Sequence, residues 1–170
     1  MQDLIGQEAA KAYIEEFGKG SRSSAILWGP PGSGKTTVAH IIERLFPDDY
    51  VPLSAVTSGV QDLRRVTGRA EATDTTPIVF IDEIHRFNKA QQDALLPHVE
   101  NGRIVLIGAT TENPSFAVIA PLLSRMRVIV LRSLKSEEIF LILKRALADE
   151  IVRGLGKHVA EDCIEALARA

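Results

Sequence analysis

Three short runs of consecutive apolar residues constrain this chain most: Ile78 to Ile81, Ile104 to Ile107 and Val128 to Leu131. Four apolar residues in succession leave no polar side to face water, so each run suits a strand covered on both faces. Ala25 to Trp28 is a similar run ending at Gly29, and Tyr50 to Leu53 is a weaker strand. Pro52, which has no N–H to give to a ladder, favours a sheet edge for that weaker strand. Helix-spaced segments lie around these runs. Ala9, Ala12, Tyr13 and Phe17 share one face before Gly18 and Gly20, and Val38, Ile41, Ile42 and Leu45 repeat until Pro47. Val60 to about Arg69 reads as helical, Asn88 caps a helix running to about Val99, and Val118 to Ser124 reads as a short helix. Such alternation predicts a parallel sheet with helices on each side, a three-layer α/β domain.

No strand pattern follows Leu131. Ile139, Ile142, Leu143 and Ala146 mark one helix, Gly154 and Gly156 a turn, and Ile164, Leu167 and Ala168 the start of another. The expected division is an α/β core over 1–132 and an all-helical unit over 133–170 that the chain end cuts short. A length of 170 residues with 45% apolar and 25% charged residues suits a globular core rather than a disordered tail, collagen-like rod or coiled coil. The formal charge of -2 lacks the basic excess of a stand-alone duplex binder, so any nucleic-acid contact must be local or assembled. Cys163 is the single cysteine, which excludes an internal disulfide and points to a small buried residue in a reducing compartment. Met1 to Phe17 is acidic, with neither a secretory signal nor an Arg-rich leader, and no apolar run reaches the ~18 residues of a membrane span. A soluble, intracellular protein is expected.

Gly29-Pro30-Pro31-Gly32-Ser33-Gly34-Lys35-Thr36 fits G-x-x-x-x-G-K-[ST], the P-loop or Walker A pattern, and stands between an expected strand and helix. A chain of phosphates needs many donors at close range. Backbone N–H groups of a loop stripped of side chains supply them, and the following helix adds its dipole. Lys35 would reach the β- and γ-phosphates, and Thr36 would offer its hydroxyl oxygen to Mg²⁺, with Thr37 adjoining the cradle. Asp82-Glu83 directly follows the buried run Ile78 to Ile81, which puts two carboxylates at the ligand-binding end of a strand. Asp82 is expected to hold the metal ion and Glu83 to orient and polarise the attacking water as the base. Thr110-Thr111 ends the neighbouring expected strand, where a hydroxyl could reach the γ-phosphate or that water. His85 and Asn88 carry no assigned chemistry, and Arg64, Arg65, Arg69 and Lys89 fit solvated helical faces.

The order and spacing of Gly29 to Thr36, Asp82-Glu83, Thr111 and Ser124-Arg125 resemble an AAA+ ATPase of the clamp-loader-like branch. Ile26 to Pro31, Leu53 to Val60, Phe80 to Lys89, Pro97 to Glu100 and Ile107 to Phe116 narrow the likeness to the replication-associated recombination protein A / Werner helicase-interacting protein family. The resemblance covers nearly the whole chain. It implies an ATP- and Mg²⁺-dependent ATPase that forms homo-oligomers, stimulated by DNA forks, gaps and single-strand/duplex junctions, and working with single-strand-binding protein. It implies a cytoplasmic location, nucleoid-associated in a bacterium, and no membrane partner. Thr111 matches the polar sensor, Arg125 the finger that reaches a neighbouring subunit's γ-phosphate, and Ile5 and Gly6, in Leu4-Ile5-Gly6-Gln7, the box near the adenine. Taken alone, Arg125 is a solvated arginine at a helix end. Met126 stands where the family usually has cysteine.

Three rivals follow. The Holliday-junction branch-migration motor shares the runs Phe80 to Arg86 and Leu106 to Thr111. It carries a DNA-handling hairpin, however, where only Asn101-Gly102-Arg103 separates Glu100 from Ile104 here. A P-loop kinase would need an acceptor pocket and lid arginines. A non-hydrolysing ATP-binding scaffold is the third, because the resemblance puts another lid arginine and the oligomerisation region beyond residue 170. A fragment of a longer protein is therefore expected.

Overall fold

A computed structural model of the chain describes residues 4–55, 62, 65, 66, 68, 75–148, 166 and 168. The elements are α1 (Glu8–Gly18), β1 (Ala25–Trp28), α2 (Lys35–Leu45), β2 (Tyr50–Ser54), β3 (Ile78–Asp82), α3 (Lys89–Glu100), β4 (Val105–Thr110), α4 (Pro114–Ala117), α5 (Ala120–Leu123), β5 (Arg127–Val130) and α6 (Ser136–Ala148). All five strands run parallel in the order β2-β3-β4-β1-β5.

Strand side chains alternate between faces, and the two cores follow that alternation. Ala25, Leu27, Ile78, Phe80, Val105, Ile107 and Ala109 pack with Ala10, Tyr13, Phe17, Val38 and Ile42 of α1 and α2. Ile26, Val79, Ile81 and Leu106 pack with Phe87, Leu95, Val118 and Leu122 on the other side. The expected three-layer α/β fold is therefore present, with β1, β3 and β4 central and covered twice. Pro52 stands in β2, an outer strand, as its missing N–H requires. Asn88 caps α3 by accepting from the Gln91 amide, and the Gln91 side chain accepts from the Asn88 amide in return.

Three expectations need correction. On α1 the covered face is Ala10, Tyr13, Ile14 and Phe17, and Ala9 and Ala12 are exposed. Val118 to Ser124 is not one helix: Val118 and Ile119 are extended, and two four-residue helices flank them. Pro114 and Pro121 each sit in a first turn, where a missing N–H costs nothing, so each proline starts its own helix. The run Val128 to Leu131 is not buried on both faces either. It belongs to the outer strand β5, which leaves Val128 and Val130 exposed. Of the expected helix Val60 to Arg69, only Asp62, Arg65, Val66 and Gly68 are described, each helical. Apart from Ala166 and Ala168, the expected helix at Ile164 to Ala168 lies outside the described residues, as does Cys163. No helix among the described residues is long and apolar enough to cross a membrane.

Candidate functional site

The carboxyl ends of β1, β3 and β4 meet at one edge of the sheet, where parallel sheets leave a crevice for ligands. The loop Gly29 to Gly34 leaves β1 there. Its first amide donates to the Thr110 carbonyl at 3.3 Å, which tethers the loop to the end of β4. Gly29 has no space for a side chain, since a Cβ would lie 2.3 Å from the Leu131 carbonyl oxygen and 2.9 Å from Ser33 Oγ. Gly32 and Gly34 serve differently: their φ values of +73° and +99° are strained for any residue with a Cβ.

Gly34 precedes α2 and has no side chain to cap it, so the amides of the first turn, at Lys35, Thr36 and Thr37, point out unpartnered by the helix. The positive end of the α2 dipole opens onto the loop in this way. Lys35 is only 8% exposed, and its ammonium donates to the carbonyls of Gly29 (2.8 Å) and Pro30 (2.9 Å). Burial holds its pKa below the usual lysine value, opposed by the carboxylates of Glu83 and then Asp82. The Ser33 hydroxyl is buried with no hydrogen-bond partner. A buried ammonium, an orphaned hydroxyl and the first-turn amides of α2, which have no helical partner, suit a polyphosphate. The exposed Thr36 and half-buried Asp82 offer the hard oxygen donors that magnesium takes together with phosphate. Among the described residues there is no group of three or more His, Cys, Asp or Glu placed to hold a metal ion.

Asp82 is the last residue of β3 and its Oδ1 accepts from the Glu83 amide at 3.1 Å. Glu83 has φ 53°, the only non-glycine among the described residues in the left-handed region. Its Oε2 lies 3.2 Å from His85 Nε2, and His85 Nδ1 lies 3.0 Å from Thr110 Oγ1. Thr111 follows directly after β4 and is half-buried. The structure thus brings the glycine loop, Lys35, Thr36, Asp82, Glu83 and Thr111 to one edge.

Arg125 is at the other edge. Arg127 opens β5 and pairs with Ala25, the first residue of β1, so the whole four-residue strand, ~13 Å long, separates Arg125 from its own loop. The guanidinium donates to the Pro121 carbonyl (2.7 Å) and Ser124 Oγ (3.0 Å) and pairs with Glu100. Ile5 and Gly6 lie beside the loop: Gln7 next to them donates to the Ser33 carbonyl at 3.1 Å, and the Leu4 side chain abuts Gly34.

A family model described as "ATPase family associated with various cellular activities (AAA)" matches residues 25–134. Replication-associated recombination protein A of Coxiella burnetii is 52% identical over 93% of this chain, and ATPase WRNIP1 of Dictyostelium discoideum is 43% identical over 99% of it. The chain belongs to the AAA family, in the branch of these two proteins. It spans 36% of the Coxiella protein and 20% of the Dictyostelium one. Among solved structures, Thermotoga maritima RuvB, a Holliday junction branch migration motor, superposes with a TM-score of 0.75 at 29% identity, over 96% of this chain and 56% of that one.

Two side chains of this AAA core take part in the site without having been assigned a role from motif spacing. His85 lies inside a recognised run, but its contact with Thr110 joins residues 25 apart, one in the helical turn after β3 and the other at the end of β4, which no local pattern encodes. Gln7, buried at 3% exposure, donates to the Ser33 and Arg132 carbonyls and accepts from the Arg132 amide, so it joins the loop to the segment leading into α6. A polar residue beside a turn gave no signal of that burial.

Proposed function

We propose that this chain is the ATP-binding and ATP-hydrolysing part of a AAA protein that acts on DNA in replication-fork maintenance, recombination and repair, with a neighbouring subunit completing the hydrolytic site. In this reading residues 1–132 form the nucleotide-binding core and 133–170 belong to a helical lid. The observation that carries it is the meeting of the glycine loop with Asp82, Glu83 and Thr111 at one sheet edge, while Arg125 stands at the opposite edge.

The amides of Gly32 to Thr37 bind the phosphates, and the Lys35 ammonium leaves its carbonyl partners for the more strongly accepting phosphate oxygens. Pro30, Pro31 and Ser33 shape the cradle, and Ile5 and Gly6 border the base. Thr36 and Asp82 would hold magnesium, which supplies positive charge beside the phosphate oxygens. Glu83 orients a water and takes its proton, and the Thr111 hydroxyl positions the water or the γ-phosphate. Arg125 of one copy neutralises charge at the site of the next, a contribution of ~10³ to 10⁵ in rate for such fingers. Homo-oligomers, DNA junctions and single-strand-binding protein are the partners this reading assigns. The relatives' names support the DNA role, and the four residues between α3 and β4 favour it over a hairpin-bearing branch-migration motor.

The test is steady-state phosphate release at rising protein concentration, with and without forked or gapped DNA, for the native chain and Glu83→Gln. Turnover that climbs with concentration and DNA and vanishes in the variant is expected. ATP binding with no turnover under any condition would make the chain a nucleotide-organised scaffold instead.

A further inference from the structure

We propose that His85 is a positioning residue that holds the Glu83 carboxylate and ties it to the end of β4 through Thr110; this rests on Glu83 being the base, as argued above. The imidazole is only 12% exposed and both ring nitrogens are engaged. Nε2 lies 3.2 Å from Glu83 Oε2, within ion-pair distance, and a carboxylate, which only accepts, is served there by an Nε2 that carries a proton. In the neutral ring Nδ1 then accepts, and the Thr110 hydroxyl donates to it at 3.0 Å in preference to its other acceptor, the Glu112 carbonyl oxygen at 3.4 Å. That hydroxyl is itself fixed, because Oγ1 accepts the Glu112 amide at 3.0 Å and Thr110 is fully buried as the last residue of β4. The Glu112 carboxylate, 3.7 Å from Nε2, is the other acceptor near the ring.

A connected line of polar contacts therefore runs from the Glu112 amide through Thr110 and His85 to Glu83, from the end of one strand to the carboxylate beyond the next. Glu83 needs such support. Its left-handed backbone persists only where surroundings over-determine it, and its long side chain has rotamers to lose. Displacing a base by an ångström costs ~10²-fold in rate. Thr111 adjoins Thr110, so a hydroxyl that senses phosphate and the base that acts on water share one anchor.

Turnover and ATP affinity of the full chain are measured for His85→Ala, His85→Gln, His85→Asn and Glu83→Gln. His85→Ala is expected to lower kcat about 10- to 100-fold while ATP affinity stays within about threefold. Glutamine, whose amide N–H reaches the Nε2 position, restores part of that loss, whereas asparagine, which reaches only Nδ1, does not. Equal failure of Gln and Asn, or a matching loss of ATP affinity, overturns the positioning role in favour of a structural one. Native turnover in His85→Ala with a dead Glu83→Gln overturns this proposal alone; native turnover in Glu83→Gln overturns the base on which it rests. Independently of turnover, nitrogen-15 NMR of the imidazole is expected to report Nε2 protonated. Thr110→Val should move the Nδ1 resonance and Glu83→Gln the Nε2 resonance. A ring protonated only at Nδ1, or one that answers neither substitution, contradicts the proposal.

Discussion

The Lys35 ammonium lies 2.8 Å from the carbonyl oxygen of Gly29, so the residue that closes the glycine loop is bonded to the residue that opens it. That contact satisfies a buried cation with neutral acceptors only, and burial correspondingly lowers the lysine pKa. The unfolded chain then binds the proton more tightly than the folded one. Stability should rise as pH climbs from the lowered pKa toward the ordinary 10.5. Urea midpoints of the ligand-free protein are expected to show this rise and Lys35→Met to lack it.

The loop glycines should differ in cost. Gly29→Ala drives a Cβ into the Leu131 backbone oxygen and is expected to lose about 3 kcal/mol. Gly32→Ala meets open space and bears only the strain of its positive φ, about 1 kcal/mol. Denaturation of the two variants checks the order, and a reversed order contradicts it.

Gln7→Met should cost about 2–3 kcal/mol, because it strands the Ser33 carbonyl and both backbone groups of Arg132. Gln7→Glu should be worse, since a carboxylate would face two carbonyl oxygens. Equal stability of Gln7→Met and the native chain would show that the buried amide ties nothing together.

Arg132 grips Glu138 with two bonds, of 2.8 and 2.5 Å. That bond and the Lys135 amide hold the Glu138 pKa down at about 2. The pair's contribution is complete above the ordinary 4.5 and fades as pH falls from there through about 2. A side-chain carboxyl NMR titration should find the low midpoint, and Arg132→Ala should return it toward 4.5.

Arg125, at the far edge from its own loop, predicts complementation between copies. Arg125→Ala and Lys35→Ala chains, each inactive alone, should recover partial phosphate release when mixed. No recovery at any ratio removes the finger from the mechanism.

The central layer was legible because its strands are continuous apolar runs: Ile78 to Ile81 admits no other placement once a glycine loop and an amphipathic helix precede it. Pro52 likewise announced its outer strand. The exposure of β5 is not legible in the sequence because Val128 and Val130 are as apolar as any core pair, and only the outer place of the strand in the sheet leaves them uncovered. Val118 and Ile119 misled for a related reason: apolar spacing marks which residues are covered, and the prolines, not the spacing, decide where each short helix starts. Within the site, residues contiguous in sequence were readable, whereas the His85 to Thr110 and Gln7 to Ser33 contacts arise only when distant segments meet.

Calorimetric titration of ATP with magnesium into the native chain and Lys35→Met tests the central claim most directly. Saturable one-to-one binding that weakens about ten- to hundredfold in the variant is expected. Absence of binding by the folded native chain, or equal binding by the variant, would contradict the assignment of this sheet edge as a nucleotide site.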